Sequence, residues 1–211
     1  MIKLSKRLDA CASLVRQNTT LADVGCDHGY VPVYLVENGI ITRAVASDIN
    51  VQPLKSCENL VKSEGLEEII KCVLSDGLNN IDGSEAEDIL LAGMGGELIA
   101  EILSRCPYVK EKHIIINAMT HPELARQWLF ENGFEIKNDL VVKDGRHYYS
   151  VLDAYYTGKN TEYKRADLYL GKIEDFSNTE YFVHLLNYLK NKEKGGADCA
   201  DIICAIEEII K

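Results

Sequence analysis

The 211 residues are 46% hydrophobic and 27% charged, which predicts an ordinary globular domain with room for a small appendage. No apolar run approaches the roughly 18–20 residues that span a bilayer, and no signal-peptide core is present. Seven scattered cysteines without a CxxC pair are typical of reduced thiols, so we expect a cytoplasmic protein that contacts no membrane. The net charge of −10 argues against an overt nucleic-acid binder, although basic clusters such as Lys190, Lys192 and Lys194 leave RNA contact open.

An opening helix is followed by alternating strand-like and helix-like segments. The predicted elements are a helix at 4–17, a strand at 19–24, a helix at 31–38, a strand at 42–47, a helix at 51–64, strands at 69–74 and 89–92, a helix at 97–105, a strand at 113–117, a helix at 121–132, and strands at 134–142 and 147–156. From about residue 160, apolar residues recur at helical spacing on both sides of Gly195-Gly196, which predicts a helical hairpin.

This order of elements predicts an α/β fold with a Rossmann-like, mostly parallel sheet. The last two strands form a closing antiparallel hairpin, the added feature of class I methyltransferases. We predict a cofactor-binding domain at residues 1–158 and a small, coiled-coil-like helical hairpin at residues 159–211.

The turn after the first strand carries the clearest chemical signal. It reads Asp23-x-Gly25-x-Asp27-x-Gly29, and Pro32 follows in the next helix. A turn that cradles pyrophosphate presents bare backbone N–H groups and no anions. Carboxylates in such a turn favour a cationic ligand, and S-adenosylmethionine (SAM), with its sulfonium and ammonium groups, meets that description.

Three further segments follow strand ends, where a doubly wound sheet binds its ligands. Asp48, with Ile49 beside it, is suited to the ribose hydroxyls of an adenosine, and a helix N-cap is its other interpretation. Asp76-Gly77 is suited to the adenine amino group and ring, or is a plain turn. The glycines of Ala92-Gly93-Met94-Gly95-Gly96 leave room for a flat methyl acceptor, or for a flexible helix start.

Two other site classes match less well. The NAD fingerprint G-x-G-x-x-G fails because Asp27 stands where its middle glycine belongs, a departure also from the commonest SAM motif. The leading acid Asp23 and the Asp76-Gly77 pair still favour SAM over NAD. The five histidines show no metal-ligand spacing, so we expect no metal.

Four motifs together resemble one family of enzymes. They are Leu4-Ser-Lys-Arg-Leu8, Ala22-Asp-Val-Gly-Cys-Asp-His-Gly-Tyr-Val-Pro32, Ala92-Gly-Met-Gly-Gly96 and Leu168-Tyr-Leu-Gly171. The chain resembles, over nearly its whole length, the bacterial tRNA (adenine-N1)-methyltransferases that act on adenine 22, the TrmK family. The resemblance implies a SAM-dependent catalytic domain, a helical tail that helps to hold tRNA, and tRNA as the partner. We favour a monomer.

The resemblance also assigns residues to the cofactor. It places Gly25, Asp27, His28 and Gly29 in the SAM pocket, Asp48 on the ribose, Asp76 and Gly77 at the adenine end, and Ala92, Gly93 and Met94 near the methyl group. Two departures stand out: Asn117-Ala118-Met119 replaces a Q-P pattern common in relatives, and Asp48 replaces a glutamate. The first leaves substrate positioning around Asn117 open.

The expected chemistry is an in-line methyl transfer to adenine N1, whose lone pair needs no prior deprotonation. We expect Asp27 or the Gly93 carbonyl to stabilise the developing positive charge and Tyr30 to stack on the base. A SAM-dependent methyltransferase of small molecules and a non-catalytic SAM-binding protein are the alternatives.

Overall fold

In the computed structural model, which describes residues 2–173 and 179–210, seven strands form one sheet flanked by helices. The strands are β1 (Thr19–Val24), β2 (Ile41–Asp48), β3 (Ile70–Leu74), β4 (Asp88–Gly95), β5 (His113–Thr120), β6 (Phe134–Asp144) and β7 (His147–Tyr156). The helices are α1 (Lys6–Leu14), α2 (Tyr30–Glu37), α3 (Val51–Ser63), α4 (Gly96–Arg105), α5 (Pro122–Glu131), α6 (Arg165–Leu170), α7 (Thr179–Lys194) and α8 (Ala200–Ile210).

The sheet has the strand order β3-β2-β1-β4-β5-β7-β6. Strand β1 pairs in parallel with both β2 and β4, so the order of connection reverses between β1 and β4. Strand β7 is antiparallel to β5 and to β6. The structure therefore confirms the predicted Rossmann-like methyltransferase sheet and its closing hairpin. Ligands of such sheets bind beyond the carboxyl ends of the strands at the point of reversal.

Strands β4 and β5 each continue three residues beyond the end that their apolar runs predict. Strand β4 continues through the glycines to Gly95, because Met94 pairs with Ala118 and Gly95 with Thr120 on the neighbouring strand. The register shifts between Ala92 and Met94, and the intervening Gly93 has a φ of +86°. The irregularity thus lies at the carboxyl end of β4, within the glycine segment that the sequence analysis singled out.

Apolar layers cover both faces of the sheet. One contains residues such as Ile99 and Leu103 of α4, and the other contains residues such as Leu35 of α2 and Leu54 of α3. The four are nearly or fully buried, which explains why the strands between them are apolar on both faces.

The C-terminal segment confirms the predicted helical hairpin, with Gly195 and Gly196 between α7 and α8. These two helices bury a separate apolar cluster that includes Phe182 and Ile202. The short helix α6 precedes them and buries Leu168 in the core of the main sheet. The division after residue 158 stays a prediction. Over the described part of the chain, no helix is both long and apolar enough to cross a membrane.

Candidate active site

The turn after β1 is held in place by its glycines. Gly25 has a φ of +75°, and a Cβ there would lie 2.5 Å from Met94 Cε. Gly29 has a φ of +73°, and a Cβ there would overlap Cys57 Sγ on α3. The backbone carbonyl of Ser47 accepts hydrogen bonds from the N–H groups of Gly25 and Cys26 at 2.8 and 2.9 Å. Backbone conformation favours glycine at both positions, and packing against Cys57 adds a second requirement at Gly29.

A cleft of about 360 Å³ opens where this turn meets the ends of β2, β4 and β5. It lies at the point of strand reversal, as the sequence predicts. The predicted site residues that line it are Asp23, Gly25, Asp27, His28, Tyr30, Asp48, Ala92 and Gly93. The structure therefore brings together residues from three strand ends that are up to 70 positions apart in the chain.

Two buried carboxylates face this cleft. Asp23 is 4% exposed, and no described residue donates a hydrogen bond to its carboxylate. Burial, together with the nearby charge of Asp48, raises the pKa of Asp23 to about 7. Asp48 Oδ1 accepts a hydrogen bond from the Asn50 backbone N–H at 2.8 Å. Asn50, not Asp48, is the N-cap residue of α3, so the N-cap interpretation of Asp48 is wrong.

The outer edge of the cleft carries exposed polar and aromatic groups. Asp27 has a φ of +51°, and its Oδ1 lies 3.7 Å from His28 Nε2. The His28 and Tyr30 rings lie 5.4 Å apart between centroids, with a tilt of 33°. Tyr30 is 44% exposed, so its ring face is available to a flat ligand.

Sequence reasoning missed Arg7 as a residue of this cleft. Arg7 lies on α1, and its Nη1 donates a hydrogen bond to Asn117 Oδ1 at 2.8 Å. The Asn117 Nδ2 group donates in turn to the Ser150 carbonyl at 2.9 Å. Arg7 belongs to the Leu4-Ser-Lys-Arg-Leu8 motif, which was the available signal. Arg7 adds a cationic side chain to a cleft wall that also carries three carboxylates.

Met119 is the second missed residue, and it closes the cleft from the end of β5. The sequence marked it only as part of Asn117-Ala118-Met119 and gave it no role of its own, because the apolar run that predicted β5 ends at residue 117. Met119 is 40% exposed, which leaves its side chain accessible from the cleft.

The remaining predicted residues, including Gly29, lie outside the cleft wall. The side chain of Ile49 is exposed, and Met94 packs against Gly25. Asp76 accepts two hydrogen bonds from Arg105, at 2.9 and 3.2 Å, and Gly77 packs against α4. Their cofactor contacts stay predictions. No group of three or more histidine, cysteine or acidic residues is placed to hold a metal within residues 2–173 and 179–210.

The chain is similar to known methyltransferases over most of its length. A family model described as "Methyltransferase domain" matches residues 4–152. The tRNA (adenine(22)-N(1))-methyltransferase of Bacillus subtilis is 32% identical over 174 residues, which are 82% of this chain and 73% of that protein. This chain belongs to the tRNA (adenine(22)-N(1))-methyltransferase family.

Two solved structures extend the similarity to the helical tail. The crystal structure of the B. subtilis m1A22 tRNA methyltransferase TrmK matches with a TM-score of 0.88 and 27% identity, and the match covers 100% of each chain. Sp1610 of Streptococcus pneumoniae in complex with S-adenosyl-L-methionine matches with a TM-score of 0.88 and 28% identity, over 99% of this chain and 100% of that chain. Family membership favours the predicted tRNA-methylating enzyme over the small-molecule, non-catalytic and NAD alternatives.

Proposed function

We propose that the protein transfers the methyl group of SAM to N1 of adenine 22 in tRNA. The observation that carries the proposal is the unpaired, buried carboxylate of Asp23 beside Asp48, in a chain of the tRNA (adenine(22)-N(1))-methyltransferase family. Buried carboxylates without partners are costly, and a cationic ligand relieves that cost. Because the substrate is tRNA, we place the reaction in the cytoplasm.

The charged residues of the cleft match the charged groups and the ribose of SAM. Asp23 and Asp27 face the α-ammonium group, and the guanidinium of Arg7 faces the carboxylate as a charge-assisted partner. Asp48 uses its second oxygen for the ribose hydroxyls, since only Oδ1 accepts from Asn50. The glycine turn lets the backbone approach the methionine part of the cofactor closely.

The adenine end of the cofactor is proposed to lie toward Asp76 and Gly77. A carboxylate has about four acceptor sites, so the two hydrogen bonds from Arg105 leave Asp76 able to accept from an amino group. The exposed side chain of Ile49 offers an apolar surface for the purine ring. Met94 supports this arrangement indirectly, because it packs behind Gly25.

The methyl transfer depends mainly on the alignment of SAM with the adenine and on electrostatic stabilisation. When bound, SAM supplies an activated methyl group on a positively charged sulfur. The N1 lone pair forms a bond to the methyl carbon as the sulfur–carbon bond breaks, so the positive charge passes to the purine. The Asp27 carboxylate and the Gly93 carbonyl are proposed to stabilise that charge, and the exposed Tyr30 ring to stack on the base. No residue has to remove a proton before the attack.

Adenine N1 is occupied when the base is paired, so the base has to leave its stack to reach the cleft. The exposed edge formed by Asp27, His28 and Tyr30 is proposed to receive it, because a flat ring is accommodated there without burying an unpaired charge.

The test uses two unmodified tRNA transcripts that differ only at position 22, which is adenine in one and guanine in the other. Both are incubated with methyl-labelled SAM and the full-length protein. We expect label in the adenine transcript and only background in the guanine transcript. Equal labelling of both transcripts, or of neither, would contradict the proposal.

A further inference from the structure

A second cavity adjoins the cofactor cleft and has no part in the methyl transfer described above. It measures about 350 Å³ and lies between the end of β5, the β6–β7 hairpin and the tail helices α6 and α7. Met119 borders both cavities. The matched methyltransferase domain ends at residue 152, so one wall of this cavity comes from the tail that follows it.

The wall of this cavity carries five tyrosines. We call it the aromatic pocket, defined by Tyr148, Tyr149, Tyr169, Tyr181 and Tyr188. The Tyr148 ring lies 6.2 Å from that of Tyr181 and 5.3 Å from that of His184. Tyr188 is 46% exposed on α7. A cavity of this size with several ring faces is suited to a flat, aromatic ligand.

The edge of the aromatic pocket is basic although the protein is acidic. Lys192 Nζ lies 5.0 Å from the centroid of the Tyr188 ring, and Lys143 Nζ lies 5.1 Å from that of Tyr148. Arg146 also lines the pocket, and no described residue forms an ion pair with it.

Two acids lie near the pocket: Glu180 is paired with Lys143, and Glu123 has a histidine beside it. Glu123 lies 3.1 Å from His121 Nδ1, and Glu180 lies 2.6 Å from Lys143 Nζ and also accepts a hydrogen bond from Tyr148. Among the described residues, Arg146 and Lys192 are therefore the cations of this edge that have no acid in an ion pair with them. Cations beside aromatic faces are the combination that binds single-stranded nucleic acid.

Arg7 and Tyr149 separate the aromatic pocket from the cofactor cleft. The Arg7 guanidinium carbon lies 5.7 Å from the centroid of the Tyr149 ring, and the same side chain lines the cofactor cleft. The openings of the cofactor cleft and of the aromatic pocket are therefore adjacent, separated by these two side chains and bordered in common by Met119.

We infer that the aromatic pocket binds a second nucleobase of the tRNA, a neighbour of the adenine that is methylated. The inference rests on the proposed function and adds a positioning site to it. Stacking of this neighbour on the tyrosines would hold the strand open while the target base occupies the cleft. The few aliphatic groups in the wall, and the basic edge, favour a nucleobase over an apolar peptide segment.

Tyr188 provides the sharpest test, because it is half-exposed and its replacement leaves the buried core intact. The variants are Tyr188→Ala, Tyr188→Leu, which keeps apolar bulk without a ring, and Tyr188→Phe, which keeps the ring. Val183→Ala, on the same helix and exposed but outside the pocket, is the control. Dissociation constants are measured for an unmodified tRNA transcript and, separately, for SAM.

We expect the tRNA dissociation constant to rise roughly tenfold for Tyr188→Ala and Tyr188→Leu, the loss of one base–aromatic stack. Tyr188→Phe and Val183→Ala should bind tRNA like the wild type, and no variant should change SAM binding. Wild-type tRNA affinity in the Leu variant would overturn the inference, as would equal losses in the Leu and Phe variants. Both results would indicate a pocket for another ligand, such as a peptide.

A fluorescent base analogue gives a readout that does not depend on activity. With 2-aminopurine at either neighbour of position 22, one of the two transcripts should be quenched by the wild-type protein and by Tyr188→Phe, and not by Tyr188→Leu. Absence of quenching at both neighbours would overturn the inference even if adenine 22 is methylated. Absence of methylation with normal quenching would instead contradict the proposed function.

Discussion

At the scale of single residues, Asp23 couples cofactor binding to pH. Its pKa is raised to about 7 by burial and by the charge of Asp48, and a cationic ligand favours its ionised form. Because only the ionised form pairs with an ammonium group, we expect SAM to bind about fivefold more weakly at about pH 6 than at about pH 7. Isothermal titration at both pH values measures this.

Two variants test whether Asp23, and not another acid, is the group that makes SAM binding depend on pH. Asp23→Asn should bind SAM weakly with a flat response over that pH interval. Asp76→Asn should retain the wild-type response, because Asp76 is already paired with Arg105. A wild-type response in Asp23→Asn would show that another group titrates.

His113 gives a second pH effect, on stability. Its Nε2 lies 2.9 Å from Asp153 and its Nδ1 lies 3.1 Å from Asp88, and all three side chains are buried at the amino ends of the parallel strands. Burial alone lowers the pKa of His113, but the hydrogen bonds and charges of Asp153 and Asp88 outweigh it, so the pKa is raised above 6.5. The imidazolium therefore stabilises the fold fully below about pH 6.5, its unfolded pKa.

This stabilisation is lost as the pH rises through the higher folded pKa. Between about pH 6.5 and the folded pKa of His113, we expect the free energy of unfolding of the wild type to fall relative to that of His113→Gln. The fall should be up to about 1.4 kcal/mol per pH unit. Asp23, whose folded pKa is also raised, contributes with the same sign to both proteins and cancels in the difference. Urea titrations from about pH 5 to pH 9 measure it, and the exposed His147→Gln should behave like the wild type.

The site residues that the sequence indicates lie in the last residues of an apolar strand or just after it. Asp23, Asp27 and Asp48 were predictable because strand ends meet at one edge of a parallel sheet. Arg7 reaches the cleft from α1, a helix that precedes the first strand, and only tertiary packing places it there. Met119 was missed because β5 extends past its apolar run.

At the scale of elements, the turn after β1 is held in place by its packing against α3. A methyl group at Gly29 would overlap Cys57, and its φ of +73° adds strain. We expect Gly29→Ala to lower the unfolding free energy by about 1–3 kcal/mol beyond its backbone cost and to weaken SAM binding.

Gly39→Ala is the matched control, since its φ is +65° and a Cβ there meets nothing within 4 Å. It should cost only the left-handed backbone penalty of about 1–2 kcal/mol and leave SAM binding unchanged. Thermal unfolding with and without SAM measures both effects. Equal losses in the two variants would show that packing against Cys57 contributes nothing.

At the scale of the whole molecule, Arg126 joins the helical tail to the sheet. This fully buried guanidinium bonds to Asp139 on β6, to the Ser150 hydroxyl on β7 and to the Leu168 carbonyl on α6. Arg126→Met leaves the Asp139 carboxylate buried with its guanidinium partner removed. We expect a loss of about 3–5 kcal/mol in urea unfolding, and a much smaller loss when Asp139→Leu is combined with it. Equal losses in the single and double variants would contradict this.

The mostly parallel sheet with its closing hairpin and the existence of the helical hairpin could be predicted from the hydrophobic periodicity along the chain. The docking of the helical tail onto the sheet could not be predicted in this way, because it depends on buried polar contacts such as that of Arg126 with Asp139. Nothing in the spacing of those two residues marks them as partners, since each lies in an amphipathic element where charge is normally exposed.

The most direct test of the account is the location of the methyl group on the product. An unmodified tRNA transcript is incubated with SAM and the full-length protein, digested, and its fragments are sequenced by mass spectrometry. The account predicts a single methyl group, as 1-methyladenosine, at position 22. A methyl group at another position, on another atom of the adenine, or nowhere in the tRNA would contradict it.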